Sequence, residues 1–155
     1  HRRPDVMQVL SPCPGRVFPI TEADDPVFAA EMVGPGVAIE PSPARTTVVA
    51  PVAGTILKLH PHAFAMVTAD GLGVLVHLGI NTVKLDGAGF ELVASEGATV
   101  AAGDPMVVWN PAEISDDGIT TTVLVVALDR PAGSLAELAT GREVIAGEPL
   151  FSVDA

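Results

Sequence analysis

Apolar and polar residues alternate with a period of two along much of this chain, in short runs interrupted by Gly and Pro. Successive side chains of a strand point to opposite faces, so this period marks β-strands with one buried side. It predicts strands over Val6–Leu10, Gly15–Ile20, Val37–Glu40, Thr46–Ala50, Gly54–His60, Phe64–Ala69, Gly73–Leu78, Phe90–Val93, Met106–Trp109, Thr121–Leu128 and Pro149–Val153. β-Branched residues are prominent in Thr55–Leu59 and Thr122–Val126, as a pleated surface prefers. Helix is expected only as short turns, at Pro111–Asp116 with Pro in first position, Gly133–Leu138 and Ala29–Val33.

Two pairs of segments echo each other. Ser11-Pro12-Cys13-Pro14-Gly15-Arg16-Val17 resembles Ala50-Pro51-Val52-Ala53-Gly54-Thr55-Ile56, and Gly97–Pro105 resembles Gly141–Pro149. Paired echoes suggest two similar β-units closed into an all-β antiparallel sandwich or barrel with a duplicated motif and few free edges. No linker divides them, so residues 6–155 are expected to form one domain. The opening His-Arg-Arg-Pro-Asp, residues 1–5, reads as a disordered terminus, an expression remnant or a linker stub.

Composition narrows the function. A 48% apolar share with 15 Gly and 14 Pro suits a β-rich globule rather than a disordered chain. The 19 acidic and 8 basic residues leave a formal charge of −11, which excludes the basic stripe of a nucleic-acid surface and favours a positively charged partner. No apolar run is long enough to span a bilayer, and no secretory leader is evident. A single Cys, Cys13, leaves no internal disulfide to form, and a cytoplasmic location is expected.

The chemistry concentrates on histidine. His77 sits at the centre of the apolar run Gly73–Ile80, and His60 and His62 lie just upstream in His60-Pro61-His62-Ala63-Phe64. A ring in an apolar strand needs partners for its nitrogens or a surface to face. Asp70-Gly71 predicts a hairpin turn that folds one strand back on the other, making His62 and His77 neighbours across the sheet. Gly79 should leave the backbone beside the ring uncovered. With one ring nitrogen donating to a carbonyl, the other presents a lone pair as nucleophile. Two adjacent imidazoles can hold a phosphoryl group or a metal.

The segment Val74-Leu75-Val76-His77-Leu78-Gly79-Ile80-Asn81-Thr82-Val83-Lys84-Leu85-Asp86-Gly87-Ala88-Gly89-Phe90 resembles the active-site segment of the glucose-type enzyme IIA family of the bacterial phosphoenolpyruvate-dependent sugar phosphotransferase system. The resemblance extends through Asp25–Ala29, Val33–Ile39, Ala50–Ile56, His62–Phe64 and Glu96–Asp104, and covers the chain from about Leu10 to Val153. It implies an antiparallel β-sandwich built from a duplicated motif. It further implies a phosphotransferase that takes a phosphoryl group from the histidine-containing phosphocarrier protein and passes it to a cysteine on the IIB domain of a sugar permease. His77 then matches the phosphoacceptor, through Nε2, and His62 the histidine that supports transfer. Val27, Phe28, Met32, Val33, Phe64, Leu75 and Val83 match the apolar docking face. Regulated transporters and metabolic enzymes are further partners that the resemblance implies. No cofactor is required, although His62 and His77 offer ligands to an adventitious or regulatory zinc ion. Two positions depart from the pattern. Asn81 stands where many members carry Asp, and His60 where a Thr often assists the second histidine.

Two rival readings differ in class. His60-Pro61-His62 is an H-x-H triplet of the kind a zinc hydrolase of related β-sandwich architecture uses. Its upstream partners would have to be His1 and Asp5, and Pro61 compromises a central strand. A lipoyl or biotinyl carrier needs a modified Lys at a tight turn, a setting that neither Lys58 nor Lys84 has.

Overall fold

The computed structural model of the chain describes residues 6–154. The terminus 1–5, including His1 and Asp5, and residue 155 lie outside the described residues. The strands are β1 (Val6–Leu10), β2 (Gly15–Pro19), β3 (Gly36–Pro41), β4 (Thr46–Val49), β5 (Gly54–His60), β6 (Ala63–Val67), β7 (Gly73–Ile80), β8 (Phe90–Leu92), β9 (Thr99–Val100), β10 (Pro105–Trp109), β11 (Thr120–Leu128), β12 (Glu143–Val144) and β13 (Pro149–Asp154). They form an eight-stranded sheet in the order β12-β2-β3-β11-β7-β6-β5-β9, a three-stranded sheet β4-β10-β8 and the pair β1-β13. All eleven expected strands are present, with ends displaced by two residues or fewer. The two additional ones, β9 and β12, are two-residue strands, too short for a period of two to register.

The expected turns fare less evenly. A single α-turn, α1 (Pro26–Ala29), lies three residues before the expected Ala29–Val33 because Asp25 caps it by accepting from the N–H groups of Val27 and Phe28. Pro111–Glu113 is a 3-10 turn whose Asn110 cap accepts from the Ala112 N–H. Gly133–Leu138 is not helical: Ala136 instead bridges to Ser152 of β13.

The sequence echoes are structural equivalents. Gly97 N–H donates to the Ile56 carbonyl and Ile56 N–H to the Ala98 carbonyl, as Gly141 donates to Val17 and Val17 to Arg142. In the matching tight turns, Asp104 accepts from the Ala101 N–H and Glu148 from the Ile145 N–H. The small-Pro segments meet directly, Leu10 N–H donating to the Pro51 carbonyl and Val49 N–H to the Pro12 carbonyl. Each repeat thus satisfies the other's backbone where the two units join.

The main core lies on one face of the large sheet and includes Val74, Val76 and Leu78 of β7, Val123 and Val125 of β11, and Trp109, Phe64 and Phe151. Cys13 belongs to it, and burial pushes its thiol up to about 12, so it is an inert apolar filler rather than a nucleophile. The opposite face of the same sheet carries a second, smaller core. Here Leu124, Val126 and Ala38 pack with Ile20, Ala23 and Ile80 under Phe28, Val33 and Leu75.

Candidate functional site

The histidines sit on that second face. Along β7 the even positions Val74, Val76 and Leu78 are fully buried in the main core, which directs Leu75 and His77 to the opposite side. Across the sheet His77 is in register with Ala63 of β6 and Leu124 of β11. The hairpin expected from Asp70-Gly71 is present, with Val67 paired to Gly73 and Gly71 at φ +88°. It brings the two sequence-predicted histidines together, with the His62 and His77 ring centroids 5.3 Å apart at 68°.

Gly79 fixes the His77 ring. Its carbonyl oxygen lies 2.6 Å from His77 Nδ1. A carbonyl can only accept, so Nδ1 carries the proton and Nε2 keeps its lone pair. Gly79 is buried, against the expectation that it leaves backbone uncovered. Its φ is +87°, and a Cβ there would stand 2.4 Å from Thr82 Cγ2 and 2.6 Å from the Thr120 carbonyl oxygen. Glycine is needed for the turn that swings the carbonyl back toward the ring, not for access. Buried Thr82 supports the same turn, its hydroxyl donating to the Leu78 carbonyl at 2.7 Å.

Burial lowers the His77 pKa from its ordinary 6.5, opposed by the bond to Gly79 and by the charge of Asp25. Burial also lowers that of His62, followed by repulsion from His77 and from His60. Both rings are therefore neutral near pH 7, and His77 presents an unprotonated Nε2. Phe28 of α1 lies against His77, with ring centroids 5.5 Å apart.

His62 occupies the second position of the two-residue turn Pro61-His62 that joins β5 to β6, with His60 paired to Ala63. Its backbone is tied to β7 through the Leu78 N–H, which donates to the His62 carbonyl at 2.7 Å. Exposed His60 stacks on His62, with centroids 5.9 Å apart at 20°.

The seven residues expected at the docking face differ in exposure and in the face they take. Val27, Met32 and Val83 are exposed, at 45%, 74% and 60%. Phe28, Val33 and Leu75 are partly buried against the second core. Phe64 does not belong to this face. It pairs with Val76 and Leu59, takes their inward parity and is buried in the main core, so its place in the docking face is corrected. Its neighbour Ala63 has the parity of His77.

Sequence reasoning passed over Asp25 and Thr82 as individuals. Asp25 caps α1 and sets charge near His77, a role the residue itself did not signal in the absence of the fold. Asn81 adopts φ +63° and donates its side-chain amide to the Gly118 carbonyl at 2.9 Å, a bond that a carboxylate in its place would not make. Among the described residues, no group of three or more His, Cys, Asp or Glu is arranged to hold a metal ion. His62 and His77 by themselves supply fewer protein ligands than the four of a closed zinc site or the three of a catalytic one.

The antiparallel β-fold thus presents two adjacent imidazoles on the face of the large sheet that carries the smaller core. The model of the family "phosphoenolpyruvate-dependent sugar phosphotransferase system, EIIA 1" matches residues 7–132. The chain belongs to this family and is a phosphotransferase component of that system. It is 43% identical over 121 residues to the glucose-specific EIICBA component of Streptococcus pneumoniae serotype 4, a match covering 77% of this chain and 16% of that protein. The glucose-specific EIIA component of Bacillus cereus is 36% identical over 135 residues, covering 86% of this chain and 81% of its own length. Glucose permease IIA from Mycoplasma capricolum superimposes with a TM-score of 0.86 at 31% identity, over 95% of both chains. The chain thus spans 16–23% of the multi-component relatives it matches and 81% of the single-component one. No helix among the described residues is long and apolar enough to cross a membrane.

Proposed function

We propose that His77 Nε2 is the atom that carries the phosphoryl group. The observation behind this reading is the Nδ1 bond to Gly79, which leaves Nε2 unprotonated on the side of the sheet bearing the rim. In the loading step the Nε2 lone pair attacks the phosphorus of the phosphohistidine on the histidine-containing phosphocarrier protein. A new N–P bond forms, and the donor imidazole leaves with its electron pair. In the onward step a cysteine thiolate of a permease IIB domain attacks, an S–P bond forms and His77 regains its lone pair. The Gly79 carbonyl balances the partial positive charge that the ring acquires while phosphorylated.

His62 supplies a ring N–H toward the transferring oxygens, where charge spread over the phosphoryl group requires donors. Val27, Phe28, Met32, Val33, Leu75 and Val83 form the docking rim that excludes competing water. No cofactor takes part, the site works in the cytoplasm, and the sugar is chosen by the permease. Incubation with phosphoenolpyruvate and the two general relay proteins should label the native chain and leave His77→Ala unlabelled. His62→Ala should load but pass the group on slowly. Labelling of His77→Ala at the native level, or unimpaired onward transfer by His62→Ala, contradicts the corresponding role.

A further inference from the structure

His62 has no hydrogen-bond partner for its ring among the described residues, yet its ring must hold one orientation to aid transfer. What surrounds it is geometric. His60, Ala63 and His77 stand in register across β5, β6 and β7 and share one face of the sheet. Ala63, between the two histidines, carries only a methyl group, which leaves a slot one strand wide. Into it the β5–β6 turn delivers the His62 ring, edge-on to His77 at 5.3 Å and nearly parallel to His60 at 5.9 Å.

We propose that His60 is a positioning residue for phosphoryl transfer, its ring plane holding the His62 ring against His77. This rests on the reading that His62 supports transfer at His77. An imidazole at a turn without polar partners otherwise samples several rotamers, and only some direct a ring nitrogen toward His77. A stacked neighbour confines it at little cost, since the rings offer each other flat faces. The slot also explains why the pair meets edge-on. His77 is held by Gly79, and His62 can vary only about an axis that His60 restricts.

The test compares His60→Ala, His60→Phe, His62→Ala and the double variant His60→Ala/His62→Ala in the reconstituted relay. Loading of His77 by the phosphocarrier and onward transfer to the IIB domain are timed separately. His60→Ala should load normally and pass the group on about three- to tenfold more slowly, the range a ring–ring contact supplies. His60→Phe, which keeps the plane and loses the nitrogens, should stay near the native rate. The double variant should be no slower than His62→Ala alone, because the two residues act as one unit.

Equal slowing by His60→Phe and His60→Ala overturns stacking as the cause. So does an additive double variant, an unaffected His60→Ala, or slowing of loading and onward transfer alike. If His62→Ala itself transfers normally, the assigned role of His62 fails, and this inference fails with it. Normal transfer by His60→Ala beside impaired His62→Ala rejects only the inference.

Discussion

At the scale of single residues, the site depends on the Gly79 carbonyl as much as on the histidines. The left-handed φ and the 2.4 Å and 2.6 Å approaches leave no room for a methyl group. Gly79→Ala should destabilise the fold by about 1–3 kcal/mol in denaturant unfolding. It should also release His77 Nδ1, seen in nitrogen NMR as a mixture of tautomers. The depressed pKa values of His62 and His77 set a pH dependence. As pH falls below about 6.5 the unfolded chain binds protons that the folded rings refuse, so stability declines until the lower folded values are passed. His77→Gln should flatten that slope in urea midpoints measured between pH 7 and 5. A slope unchanged by the substitution contradicts burial as the cause. The histidines themselves were legible from sequence, since an imidazole in an apolar run is conspicuous. Gly79's true role was not, because a carbonyl's direction is a matter of φ and ψ.

At the scale of elements, strand parity decides which face of the sheet each residue takes. Gly54–His60 was read with its observed bounds, and the hairpin that joins β6 to β7 followed from Asp70-Gly71. Phe64 was misassigned because a family match gives position without face, whereas its pairing with Val76 fixes it inside. Phe64→Ala should therefore cost about 3–5 kcal/mol of stability, as core truncations do. In donor titrations of the folded variant it should leave the Michaelis constant for the phosphocarrier near native. Met32→Glu should do the reverse, raising that constant several-fold with the unfolding midpoint unchanged, because its side chain is 74% exposed. The helical turn at Gly133–Leu138 was lost to a bridge between Ala136 and Ser152 of β13, a pairing outside the segment that its own residues do not signal.

At the scale of the whole molecule, duplication is the feature read most fully from sequence. The Gly97–Pro105 and Gly141–Pro149 echoes fold into matching hydrogen-bonded turns, and the small-Pro segments exchange backbone bonds across the junction. The net charge of −11 acts at this scale too. Association with a basic docking partner should slow as ionic strength rises, since the field reaches only about 10 Å at 0.1 M salt. Stopped-flow association rates at two salt concentrations measure it, and salt-independent rates contradict a charge-steered encounter.

The measurement closest to the central claim is the site and atom of phosphorylation. After loading from phosphoenolpyruvate through the relay, phosphopeptide mapping should place the label on His77, and phosphorus NMR should show an Nε2-linked phosphohistidine. Label on His62 or His60, or attachment through Nδ1 of His77, contradicts the account.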